Sequence, residues 1–267
     1  MQQADDFRDE CDALGAILDP LSDADFRRKT AFKDWTVDHV VQHLHFFNIM
    51  ADYSAFQPQR FQSEYADFSQ RLKDAGGDMR GVTDKMLGGL CGQALREAWR
   101  ETYRAMHPRW AVADPKARVK WAGPDMSVRS SITARQMETW AHAQEVFDLL
   151  GLERQEADRV RNIVHLGVST YGWTFINRGE EPPTPQPYVR LTAPSGATWD
   201  WGNARDDERI EGSAVEFAQV TAQTRNVADT ALTVKGKNAR RWMAIAQCFA
   251  GPPNDPPAPG SRRRAPL

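Results

Sequence analysis

The sequence predicts an α+β protein, with a helical first part and a smaller mixed second part. Three observations carry that expectation. Apolar residues recur at three- and four-residue steps as far as Leu150; a proline-rich polar run, NRGEEPPTPQP, breaks the chain at 177–187; and the following YVRLTAPSGATWDWG reads as two short strands joined by a Pro-Ser-Gly turn. The expected organisation is a helical bundle over 1–176, a linker over 177–187, an α+β domain over 188–253 and a disordered Pro/Arg tail over 254–267.

The first helix is marked by Phe7, Cys11, Leu14 and Leu18 and ends near Asp19-Pro20. A second begins at Thr36, an N-cap residue, and carries Val37, Val40, Val41, Leu44 and Phe47, with His43 at the edge of that stripe. The glycine-rich stretch from Gly76 to Gly92 predicts bends or loops, and it lacks the GxxxxGK pattern of a phosphate-binding loop. From Gln93 the spacing of Leu95, Trp99, Tyr103 and Met106 predicts a third helix. After a loop around Ala122-Gly123-Pro124, a fourth runs from about Ser131 to Leu150 and stops at Gly151. Beyond the two strands, a helical run over 212–224, a strand at TALTVKG and a last helix from Asn238 to Phe249, ending at Ala250 or Gly251, complete the order.

Composition narrows the function. A net charge of -2 with 26% charged residues gives no general bias toward nucleic acid or an anionic membrane. Nowhere does an uncharged apolar run reach the ~18 to 20 residues of a membrane span, and the acidic start MQQADDFRDECD has no secretory pattern. Cys11, Cys91 and Cys248 are scattered, without CxxC spacing. They fit a reducing cytoplasm and read as small buried hydrophobes rather than a zinc ribbon, an iron–sulfur site or a disulfide frame.

The chemistry-bearing residues lie in two fragments, DWTVDHVVQHL from Asp34 and METWAHAQEV from Met137. Glu138 and His142 stand one turn apart on the fourth helix, so they project from one face, with Ala134 and Ala141 as small neighbours. Two such residues from one helix and a histidine from another is a common way for a bundle to hold a metal, and a His/Glu/His set leaves a coordination position open. The competing reading is a solvated i,i+4 pair and a hydrogen-bonded helix histidine; on the residues alone both stand open. His39, one turn before His43, is the substitute ligand. His39 and His45 otherwise read as surface or supporting residues, His107 as a helix-end residue, His165 as part of a later helix or linker, and Trp35 and Trp140 as core.

At this point the fragments acquire a resemblance. WTVDHVVQHL together with the ExxxH of Glu138 and His142 resembles the mycothiol-dependent maleylpyruvate isomerase family, within the DinB-like metal-binding four-helix bundles. METWAHAQEV, HLGVSTYGW and CFAGPP are similar to a metal-binding subgroup of that superfamily, and the likeness extends to about Pro253. The resemblance implies that His43, Glu138 and His142 bind a divalent metal, generally zinc, and that the second part is a sterol-carrier-protein-like α+β domain. It also implies a low-molecular-weight thiol as cosubstrate, which adds to a double bond of a small electrophilic acid, permits rotation and leaves. His45 and Asn48 depart from the subgroup, where a small and an acidic residue are expected.

The absence of a site-bearing cysteine or a GxSxG motif agrees with an external nucleophile. The resemblance also implies an arginine of the second part near the active site, which makes Arg225 in TAQTR the candidate grip for a substrate carboxylate, against a surface or capping role; Glu145 is the candidate for supporting the site or carrying a proton. The partners expected are therefore a small-molecule substrate and a small thiol. The alternatives are a non-catalytic metal- and ligand-binding protein and a metal-dependent hydrolase using bound water. Arg262, Arg263 and Arg264 form a weak basic signal within the tail.

Overall fold

Helix α1 (Gln2–Leu18) buries Phe7, Cys11, Leu14 and Leu18, the stripe its sequence predicts. This computed structural model describes residues 1–121, 123 and 125–263, so the turn expected around Ala122 and Pro124 and the Arg264 signal fall outside the described residues. A short helix, α2 (Asp23–Phe26), precedes α3 (Val37–Phe56). Thr36 caps α3: its hydroxyl accepts from the His39 amide, and His39 Nδ1 accepts from the Thr36 amide at 3.0 Å. That reciprocal pair is a capping box with an imidazole in place of the usual carboxylate.

Helix α4 (Pro58–Asp74) lays Phe61 and Phe68 against Phe46 and Met50 of α3, and α5 (Met79–Met86) adds Val82. The glycine-rich stretch therefore keeps one short helix between turns, with Gly76, Gly77, Gly88 and Gly89 at positive φ. Helix α6 (Gly92–Val112) buries Leu95, Trp99, Tyr103, Met106 and Trp110 and packs on α1 and α3. It runs past Pro108, so His107 is inside the helix rather than at its end; its Nε2 meets Asp5 at 2.7 Å. An antiparallel ribbon, β1 (Arg118–Val119) with β2 (Met126–Ser127), leads into α7 (Val128–Leu150), which starts three residues earlier than expected. The helical first part is thus as the sequence predicts, with four long helices, α1, α3, α6 and α7, and α4 as an added fifth.

The compact units are Met1–Leu149 and Leu150–Leu267, which moves the boundary from 176 to 149. Helices α8 (Arg161–Ser169) and α9 (Tyr171–Ile176) belong to the second unit because their apolar faces are used there. Tyr171 meets Trp242 edge-on at 4.9 Å. The run 177–187 lies inside that unit instead of joining two units, and Tyr171 donates to the Pro183 carbonyl at 2.6 Å.

Strands β3 (Tyr188–Thr192) and β4 (Thr198–Trp201) form the expected hairpin. The sheet order is β4-β3-β5-β6, with β5 (Arg209–Ser213) parallel to β3, and β6 (Thr233–Lys235) antiparallel to β5. β5 was not expected: RIEGS is short, and its glycine reads as a breaker. Helix α10 (Ala214–Thr221) packs on β5 and α8, and α11 (Lys237–Ile245) ends sooner than predicted, at Ala246. The tail is held down rather than disordered as far as it is described. Asn226 donates to the Pro257 carbonyl at 2.8 Å, Arg178 pairs with Asp255 at 2.9 Å, and the Gly260 amide donates to Asp229 at 2.8 Å. Cys11 and Cys248 are buried as expected, whereas Cys91 is exposed.

Candidate metal centre

Helix α3 presents His43 and α7 presents Glu138 and His142 to the same point. His43 Nε2 lies 3.3 Å from Glu138 Oε2, and His142 Nε2 lies 3.6 Å from the same oxygen. One ligand atom from each of the three residues falls within 4.8 Å of the others, a spacing at which a single cation reaches all three. The side chains are 13%, 23% and 12% exposed for His43, Glu138 and His142, so the cluster keeps an opening to solvent.

Electrostatics make the donor set suitable for a cation. Burial pushes the His43 pKa down to about 4, which leaves its imidazole neutral near pH 7. Burial would raise the Glu138 carboxyl, but hydrogen bonds with His142 and His43 and the charge of Arg135 outweigh it and hold the group well below the usual carboxylate range. Neutral imidazoles and an ionised carboxylate are the protonation states that metal ligation requires. The buried His43 Nδ1 has no hydrogen-bond partner among the described residues, so none of their side chains or carbonyls fixes its tautomer.

Aromatic rings frame the two imidazoles. Trp35 stacks on His142 at 5.4 Å and 2°, and Phe32 meets His142 edge-on at 5.2 Å. Phe47 packs on His43 at 4.8 Å. A tight turn delivers the first two rings: the Trp35 amide donates to the Phe32 carbonyl at 2.8 Å, and Lys33 and Asp34 between them sit at φ 49° and 58°. Consecutive left-handed residues closed by an i to i+3 bond match a type I′ hairpin turn, here built without glycine.

The structure thus brings together His43, Glu138 and His142, and the other candidate ligands of the first unit lie outside that cluster. His39 is committed to the α3 cap and is not in the cluster. His45 is 5% exposed rather than at the surface, and Asn48 is fully buried, with both side-chain amide atoms lacking a partner among the described residues. Glu145 is buried, three residues beyond His142 on α7 and outside the close cluster. Arg225 belongs to the second unit, four residues past the end of α10, and its Nη1 donates to the Thr224 carbonyl at 2.9 Å. His165 is exposed on α8. Trp140 is core as expected; Trp35, read as core, is half-buried at the cluster itself. The sequence also showed no sign of Phe32 or Arg135 at the site, and it marked Phe47 only as part of the apolar stripe of α3. Only the FKDW pattern, two aromatics around two polar residues, hinted at a turn that turns rings inward.

A helical first unit with a His/Glu/His cluster shared between two helices, followed by a small α+β unit, defines an α+β protein with a candidate metal centre in its helical unit. The family model for the "Mycothiol maleylpyruvate isomerase N-terminal domain" matches residues 7–147, and the chain belongs to that family. The chain is 34% identical over 251 residues to the uncharacterised proteins MT0041 and Rv0036c of two Mycobacterium tuberculosis strains, covering 93% of this chain and 95% of theirs. A crystal structure of the mycothiol-dependent maleylpyruvate isomerase is similar at a TM-score of 0.53 and 15% identity, covering 83% of this chain and 88% of that one. A point mutant of the same enzyme gives a TM-score of 0.52. At that identity the likeness establishes a shared fold. Among the described residues no helix is long and apolar enough to cross a membrane.

Proposed function

We propose that this protein is a divalent-metal enzyme using a low-molecular-weight thiol, of the mycothiol type, as external nucleophile on a small electrophilic organic acid. The observation that carries the reading is the convergence of His43, Glu138 and His142 within 4.8 Å, with no cysteine in the cluster. Zinc is the first metal expected, since two imidazoles and a carboxylate suit it. A divalent cation held by these residues supplies a Lewis-acid position at which a thiol ionises near neutral pH.

The chain's own residues do the rest. Glu138 provides the negative charge; burial keeps His43 neutral; Trp35 and Phe32 hold the His142 ring, and Phe47 the His43 ring. The thiolate adds to a double bond conjugated to a carbonyl, the electron pair moves onto the carbonyl oxygen, the new single bond rotates, and the reverse step expels the thiolate. The same reading keeps Arg225 as a cation for a substrate carboxylate and Glu145 as a proton carrier.

The test is metal analysis followed by X-ray absorption at the metal edge. One equivalent of divalent metal that is lost in His142→Ala, with a sulfur ligand appearing on addition of mycothiol and thiol-dependent cis–trans isomerisation of maleylpyruvate, is the expected result. Absence of stoichiometric metal, or turnover that needs no thiol, would overturn the corresponding half of the proposal.

A further inference from the structure

Arg135 is a buried charged group that the metal reading does not use. It stands on α7 one turn before Glu138 and is 3% exposed. Its guanidinium carbon lies 5.9 Å from the centre of the Phe47 ring, the ring that packs on His43. Its Nε and Nη2 have no hydrogen-bond partner among the described residues. Glu138 is the carboxylate that acts on it, but the Glu138 Oε2 already faces both imidazoles.

An arginine buried without a full complement of acceptors costs several kcal/mol, so such a group is rarely kept for packing alone. The identity of the free atoms is informative. Nε and Nη2 lie along one edge of the planar guanidinium, and their N–H bonds run parallel, the arrangement that meets both oxygens of a carboxylate. Burial also pushes the Arg135 pKa down, a cost that an added anion would relieve.

We propose that Arg135 is a substrate-positioning residue whose Nε/Nη2 edge grips a carboxylate of the site's small-molecule ligand from within the helical unit. One supporting argument rests on the metal reading: a divalent cation and a guanidinium outweigh the single Glu138 carboxylate, so the filled site calls for anions, a thiolate at one position and a carboxylate at the other. The free guanidinium edge stands without that reading.

The experiment is calorimetric titration of the full-length protein, with and without zinc, using succinate as a dicarboxylate that carries no electrophile and dimethyl succinate as the uncharged control. Wild type binds succinate and not the diester in both states. Arg135→Met weakens succinate binding at least ten-fold while the protein stays folded and its zinc content stays within the wild-type range. Arg135→Lys keeps the stem and charge but lacks the two-donor edge, and it loses affinity in the same direction; it serves if Arg135→Met does not fold. Unchanged succinate affinity in a folded variant, or no succinate binding by wild type, overturns the proposal. Zinc analysis of the same samples separates the two readings: Arg135-dependent binding in a protein that takes up no zinc removes the metal enzyme and keeps the carboxylate grip.

Discussion

Trp35 lies flat on His142, with ring centroids 5.4 Å apart and planes 2° from parallel. The stack fixes the plane of an imidazole whose other edge points at Glu138, so it limits the rotation that would carry Nε2 away from the cluster. A stacked aromatic pair contributes about 0.5–1.5 kcal/mol beyond burial, equivalent to roughly two- to ten-fold in an equilibrium constant. Trp35→Ala should therefore weaken metal affinity by about that factor without unfolding the helical unit, and Trp35→Phe should recover most of it. Competition against a chromophoric chelator measures both; equal affinity in Trp35→Ala would show that packing elsewhere orients His142.

How much of this was legible beforehand depends on the length scale of the signal. His43, Glu138 and His142 could be found because a helix turns a four-residue spacing into a shared face, and Thr36 because a cap is a local event. Trp35 could not, since the turn that swings it onto His142 uses Lys33 and Asp34 where glycine or asparagine would have announced a hairpin. The unit boundary was misplaced for a related reason. HLGVSTYGW has a good helical pattern, but pattern does not say which neighbour buries it, and Gly167 sits against Thr221 of α10. Strand β5 was missed because a five-residue strand with a glycine has little periodicity to show.

The turn residues yield a second prediction. Lys33 and Asp34 occupy left-handed backbone that costs L residues on the order of 1–2 kcal/mol, partly offset in Asp34 by the tolerance of short polar side chains. Lys33→Gly should stabilise the folded chain by about 0.5–1 kcal/mol once the entropy of glycine is subtracted. Urea denaturation reads this directly, and a loss of stability would mean that the Lys33 contact with the Phe32 ring, at 5.3 Å, outweighs the backbone strain.

Acid should destabilise the metal-free protein over a defined window. Burial holds the His43 and His45 pKa values at about 4, below the 6.5 of the unfolded chain. Between those values the unfolded state binds more protons, so stability rises with pH across the window and is lost as pH falls from 6.5 toward 4. The Glu138 carboxyl, held low, adds its own loss below 4.5. Each imidazole is worth on the order of 3 kcal/mol over the full window. Unfolding free energies at pH 7, 6 and 5 (approximate set points bracketing the shift) should fall steadily, and His45→Gln should flatten the slope. A flat profile in wild type would show that both rings protonate without unfolding.

Gly167 and Thr221 supply a test of the second unit. A Cβ on Gly167 would lie 2.7 Å from Thr221 Oγ1 and 3.0 Å from its Cβ, so α8 and α10 approach as closely as a glycine permits. Gly167→Ala should cost about 1–3 kcal/mol through overpacking. Adding Thr221→Ala should recover part of that, because the clash is with the threonine side chain and not its backbone. A thermal melt of the single and double variants decides the matter: strictly additive losses would place the strain somewhere other than this contact.

Glu138→Gln separates the carboxylate's charge from its shape. The amide fills the same volume and can still accept one bond from His43 or His142, but it brings no negative charge to Arg135 or to a cation. Removing one member of a buried charge pair costs up to about 3–5 kcal/mol, and residual exposure of the Glu138 side chain, at 23%, places the expected loss below that range. Metal content should fall to background at neutral pH, since the charged member of the donor set is gone and only the two imidazoles remain. Lowered stability in the metal-free state is the informative part: metal loss alone would make Glu138 a ligand only, whereas a drop in the apo melting temperature shows that the same carboxylate also offsets the buried guanidinium. Arg135→Met in the Glu138→Gln background then relieves the cost instead of adding to it, because the double variant buries no unpaired charge at this position.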